Sequence, residues 1–186
     1  MNESDAAQER PSGPVTDELF ARFMDDLERM HHRDDQHVDE PHLVTHSADA
    51  RWLRGATDNP SHLGLLPHLP MRTVEFFLQV IPGGTASDLQ RHAHESVHYV
   101  IDGSGHSEIG DQVVPWAKGD FVYTPPWIWH RHYADDADVH MIIIENSRLL
   151  TALDTDFRAS LGSVSFAATF GDPLDQNNQS GSPHLG

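Results

Sequence analysis

Cysteine is absent from the 186 residues. Disulfides, thiolate metal ligands and a cysteine nucleophile are therefore excluded, and any metal site must rest on His, Asp and Glu. Positive charge is scarce: 12 Lys and Arg stand against 29 Asp and Glu, a formal net charge of −17. Such a surface repels phosphate backbones and anionic lipid, so neither nucleic acid nor a membrane is expected as a partner. No run approaches the roughly 18 apolar residues that span a bilayer. The opening MNESDAAQER is acidic where a secretion signal would be basic and then apolar, which predicts a cytoplasmic protein. Walker loops, GxSxG elbows and dinucleotide fingerprints are also missing.

Histidine is abundant instead. Its 15 copies outnumber the 12 basic residues. His31, His32, His37, His42 and His46 are scattered without a shared spacing and read as surface groups. Seven of the others, from His92 to His140, gather in a region of different character.

Residues 1–15 are polar, carry two prolines and predict disorder. Leu19, Phe20, Phe23, Met24, Leu27 and Met30 then recur at helical spacing behind Thr16, Asp17 and Glu18, predicting an amphipathic helix at about 16–32. It opens an extension through residue 66 that packs on the main domain or on a second subunit. Within it, SADARWLR suggests a short helix closed by Gly55, and the proline-rich NPSHLGLLPHLP suggests an irregular strap. Residues 67–150 hold short apolar and β-branched runs separated by PGG, DGSG, AKGD and ADDAD. They predict an all-β antiparallel barrel or sandwich in one domain. The segment 151–186 suggests a short helix in RLLTALDTDFRASLG, followed by a mobile polar tail.

RHAHESVHYVIDG, residues 91–103, is the chemically informative stretch. Alternation along a strand puts His92 and His94 on one face, with His98 sharing their parity after a turn through Glu95 and Ser96. Neutral imidazoles at that spacing suit a divalent ion.

The stretch resembles the first motif of the cupin superfamily, with Gly84, His92, His94, His98 and Gly103 in its frame and His98 standing where the motif has Glu. Gly119, Pro125 and His130 resemble the second motif, with Trp127 and Ala134 in place of its Gly and Asn. The resemblance spans about residues 71–147. It implies a single jelly-roll barrel with an N-terminal helical extension, a metal held by His92, His94, His98 and His130, and commonly a homodimer.

Four neutral ligands would leave the ion its full charge, favouring a substrate anion beside it. The implied activity resembles that of the three-His and four-His cupin dioxygenases: an iron(II) enzyme cleaving a C–C bond of a phenolic or enolisable small molecule with dioxygen. Zinc, nickel, manganese and copper are alternative ions. A zinc or nickel cyclase, isomerase or lyase is a second reading, a closed structural zinc site another, and a non-catalytic binding cupin a third. His132 shares the parity of His130 and, with Glu95, is a candidate base. Tyr123 and Trp127 are candidates to line a mouth for an aromatic substrate. Arg91 has outer-face parity and becomes a carboxylate fork only if strand twist turns it inward.

Overall fold

The computed structural model describes residues 43–55, 59–66, 69 and 71–170. The amphipathic helix expected at 16–32 and the tail after 170 lie outside the described residues.

Two antiparallel sheets face each other. The six-stranded sheet has β1 (Arg51–Leu53), β2 (His62–Leu65), β3 (Glu75–Ile81), β10 (Val139–Glu145), β5 (Ser96–Asp102) and β8 (Phe121–Thr124) in that spatial order. The five-stranded sheet runs β11 (Arg158–Ser160), β4 (Gln90–His92), β9 (His130–Ala134), β6 (Ser104–Ile109) and β7 (Gln112–Ala117). Two short helices follow the barrel strands, α1 (Ser147–Ala152) and α2 (Phe166–Phe170).

Period-two alternation places the core. Along β3, Glu75, Phe77, Gln79 and Ile81 are buried, and β10 buries Val139, Met141, Ile143 and Glu145. The strand registers sort these inward residues into rows. Thr124, Ser96, Glu145 and Glu75 form a polar row at one end. Val122, His98, Ile143 and Phe77 form the next. Beyond them Ile81, Val100, Val122, Val139 and Met141 close on Trp116 and Ala134 as a dry cluster. The interior is thus graded along its axis, apolar at one end and hydrogen-bonding at the other.

Three local expectations are revised. SADARWLR forms a 3-10 turn, Ser47–Asp49, followed by β1 rather than a helix. The strap supplies β2, because His62 to Leu65 can pair with β3 while Leu65 and Leu63 cover Phe77 and Ile143. In the region after Asn146 the helix stops at Ala152, and Arg158–Ser160 returns as a strand on β4. DGSG is a corner between the two sheets rather than a hairpin. Gly103 there has φ +93, and Gly105 lies so close to β9 that a Cβ would come within 2.0 Å of the Tyr133 carbonyl oxygen.

Candidate functional site

Five histidines meet between the sheets, each 0–3% exposed: His92, His94, His98, His130 and His132. They arrive on four elements. His92 ends β4, His94 lies on the crossover to the other sheet, His98 is the third residue of β5, and His130 and His132 are alternate residues of β9. Their rings make a chain of contacts. His92 stacks on His94 at 3.7 Å between centroids and meets His130 edge-on at 4.7 Å. His130 stands 5.6 Å from His132, and His132 lies 4.3 Å from His98 of the opposite sheet.

Each ring is fixed by one nitrogen. His92 Nδ1 donates to the His94 carbonyl oxygen at 2.8 Å, and His130 Nδ1 donates to the Ile128 carbonyl oxygen at 2.8 Å. A carbonyl can only accept, so Nδ1 carries the proton in both rings. In the neutral form Nε2 must then hold the lone pair. His132 Nδ1 pairs at 2.7 Å with the Ser107 hydroxyl, which accepts from Trp116 Nε1 at 2.8 Å. His98 Nε2 pairs with Ser96 Oγ at 3.3 Å.

Burial keeps these rings uncharged. Desolvation and the neighbouring imidazoles push the pKa of His92 far down; burial, with His130 next in effect, takes His98 to about 3. Burial lowers His130 to about 4 and His132 well below its ordinary value.

His94 has different surroundings from those expected of it. Strand β4 ends at His92, so the residue sharing the inward parity of His92 is Gln90, which pairs with His130 in register. His94 Nδ1 bonds Asp156 Oδ1 at 2.8 Å, and its Nε2 lies 3.1 Å from Glu145 Oε2 at an angle outside hydrogen-bond geometry. Arg158 closes the group, 2.7 Å from Glu145 and 3.5 Å from Asp156. Burial would raise the Glu145 carboxyl, but the Arg158 guanidinium and the adjacent His94 ring outweigh it and hold the pKa well below the usual range. No local signal marked Asp156 or Arg158 in the sequence. Their role depends on β11 folding back beside β4, where Arg158 faces His92.

The other candidates divide sharply. His132, expected to stand beside the ligands, is a full member of the cluster. Glu95 is not brought to it: this residue is exposed, and its carboxylate accepts from the Tyr123 hydroxyl at 3.2 Å. Tyr123 is 49% exposed on the outward face of β8, where with Phe121 and Ile128 it borders a surface cavity rather than the histidine cluster. Arg91 keeps the outer-face parity of its strand, with its guanidinium carbon 4.3 Å from the Trp127 ring centroid and 4.7 Å from that of Trp129. Trp127 therefore covers an arginine outside the barrel.

The donor chemistry suits a divalent cation. His94 Nε2, His98 Nδ1, His130 Nε2 and His132 Nε2 are all buried without a hydrogen-bond partner, which is costly unless something completes them. Among the described residues no three His, Asp or Glu side chains stand in a metal-binding arrangement; His92 is stacked on His94, and the other rings meet edge-on or tilted.

Residues 76–145 match the family model described as Cupin domain. The chain is similar to gentisate 1,2 dioxygenase 1 of Aquipseudomonas alcaligenes, 35% identical over 88 residues, which cover 46% of this chain and 25% of that protein. It is also similar to 1-methylthio-D-xylulose 5-phosphate methylsulfurylase of Rhodospirillum rubrum, 34% identical over 82 residues, covering 43% of this chain and 52% of that one. The chain thus spans between a quarter and about half of these curated relatives' lengths. Salicylate 1,2-dioxygenase of Pseudoaminobacter salicylatoxidans, solved as gentisate adducts, superposes with a TM-score of 0.51 at 17% identity, over 76% of this chain and 36% of that one. This likeness shows the fold. No described helix is long and apolar enough to cross a membrane.

Proposed function

Because the barrel of this chain belongs to the cupin superfamily, we propose that it is a metal-dependent dioxygenase, using iron(II) to cleave a C–C bond in a hydroxylated aromatic acid or another enolisable small molecule. The observation that carries this reading is the enforced tautomer of His92 and His130. Both present an Nε2 lone pair in a ring that burial keeps neutral, the state a ligand must have. His98 adds a donor, its free Nδ1, from the facing sheet. The relative named for gentisate supports the substrate class.

A bound iron(II) would supply Lewis acidity and the electrons that allow dioxygen to be used. The protein's own groups do the remainder. His132 offers Nε2 as an acceptor for a substrate hydroxyl proton, while Ser107 and Trp116 hold the ring in place. Ile143, Phe77 and Val122 lie in register with His98 and make its surroundings apolar. Glu95 takes no part, being on the surface. His94 stands behind His92, fixed by Asp156.

The test is elemental analysis of anaerobically purified wild type beside His130→Ala, followed by an oxygen-electrode screen over gentisate, aminosalicylates, catechols and diketones with added iron(II). About one iron per chain, lost in the variant, with substrate-dependent oxygen uptake is the expected result. Tightly held zinc and no uptake across the screen refutes it. That outcome would favour the second reading, a cupin using its ion as a Lewis acid without dioxygen.

A further inference from the structure

We infer that Trp127 and Arg91 form a clamp on the outside of the barrel that positions His92 and His130 relative to each other; the metal-binding consequence rests on the function proposed above. These two histidines belong to different strands: β4 and β9 share the Gln90 to His130 pair, and the chain before β4 continues along β9 through the Ser87 N–H to the His132 carbonyl oxygen at 2.9 Å and the Ala134 N–H to the Thr85 carbonyl oxygen at 3.0 Å. The loop 125–129 adds a link that reaches His92 and His130 themselves.

Trp127 adopts φ +59, one of two described non-glycine residues in the left-handed region. The close approach of Cβ to the following carbonyl oxygen makes this conformation unfavourable for any L-residue, and a glycine would enter it freely. The conformation turns the Trp127 N–H onto the His92 carbonyl oxygen at 2.6 Å. This bond joins the loop to the peptide that carries one of the two rings. The next carbonyl along the loop, that of Ile128, receives His130 Nδ1. A shift of the loop backbone therefore reaches both histidines at once, one through its carbonyl and the other through its ring.

The side chains hold the loop down. Arg91, adjacent to His92, lies against both the Trp127 and Trp129 rings, its flat guanidinium stacking on aromatic faces as an ammonium does not. Its Nε is buried without a hydrogen-bond partner, so ring contact is what this part of the group has gained. Trp129 is tied in turn by its carbonyl to the Gly110 N–H at 3.0 Å and by its ring to Phe170. A tryptophan at a position where glycine would be less strained is thus accounted for by what its ring covers.

Trp127→Gly removes the indole while retaining the N–H and relaxing the backbone. Arg91→Gln removes the guanidinium, and Arg91→Lys keeps charge but not stacking. Two readouts apply. In metal-free protein, long-range 1H–15N spectra of the imidazoles are expected to show the His92 and His130 signals moved or broadened in all three variants, with His98 and His132 unmoved. Cobalt(II) affinity by equilibrium dialysis is expected to fall roughly tenfold, at the low end of what losing an outer support of a metal ligand costs. The Trp127→Gly, Arg91→Gln pair should bind no more weakly than either single variant, because the two residues act as one unit. His92 and His130 signals unchanged in Arg91→Lys and Arg91→Gln, or losses that add in the double variant, would overturn the clamp. If wild type binds no cobalt, the metal reading falls, and the imidazole spectra alone decide the clamp.

Discussion

Acid is the perturbation to which this interior should respond most. His98, His130 and His132 are buried as neutral rings, with pKa values of about 3, about 4 and well below 6.5. In the unfolded chain each returns to about 6.5. Below that pH the unfolded state binds protons that the folded state refuses, so stability is fully present above about 6.5 and is lost as pH falls toward the folded values. At pH 5 the loss is about 2 kcal/mol for each of His98 and His130, or about 4 kcal/mol for the pair, from a slope that approaches about 1.4 kcal/mol per pH unit per group, and His92 and His132, also lowered by burial, add to it in the same direction. Glu145 adds to the same trend lower down, since its depressed carboxyl stabilises the fold above about 4.5 and ceases to do so in stronger acid. Against a typical total of about 5–15 kcal/mol, this is enough to bring the metal-free protein near unfolding at pH 5. The assay is urea unfolding in EDTA at pH 7.5, 6.5, 5.5 and 5. His132→Asn retains a hydrogen-bonding group near Ser107 and removes one of the four titrating rings, so the dependence of stability on pH should become shallower. A urea midpoint that stays constant from pH 7.5 to 5 would refute the reasoning.

Three further outcomes are expected. Arg158→Met takes the guanidinium from the buried Glu145 and Asp156 carboxylates, leaving them only the His94 ring, and should cost about 3–5 kcal/mol in urea unfolding at pH 7; a loss below about 1 kcal/mol would show that the cage is solvated. Gly105→Ala drives a methyl to 2.0 Å from the Tyr133 carbonyl and 2.5 Å from the Trp116 ring, so the β6–β9 ladder must open and Tm should drop by several degrees. An unchanged Tm counts against that packing. Glu95→Gln, by contrast, alters an exposed group hydrogen-bonded to Tyr123, and both stability (within about 0.5 kcal/mol) and turnover on whatever substrate is found should match wild type. A large loss of turnover alone would return Glu95 to the site.

The barrel was legible in the chain because alternation of period two is local: EFFLQVI and VHMIIIE announce which side chains face inward whatever strands lie beside them. The buried HxH pair of β9 followed from the same rule. So did the outward parity of Arg91. β2 escaped notice because proline and glycine around it signal irregularity, while the apolar surface of Phe77 and Ile143 that draws it into the sheet lies in distant sequence. The sequence alone placed imidazoles on interior strand faces and removed cysteine from any chemistry. Tertiary structure decided what each imidazole does. Where β4 ends, which carbonyl faces which Nδ1, and the return of β11 with Asp156 and Arg158 depend on contacts between residues far apart in the chain. Those contacts make His92 and His130 lone-pair donors, tie His94 to a carboxylate, bring His132 into the cluster and leave Glu95 in water, distinctions that spacing along one strand does not carry.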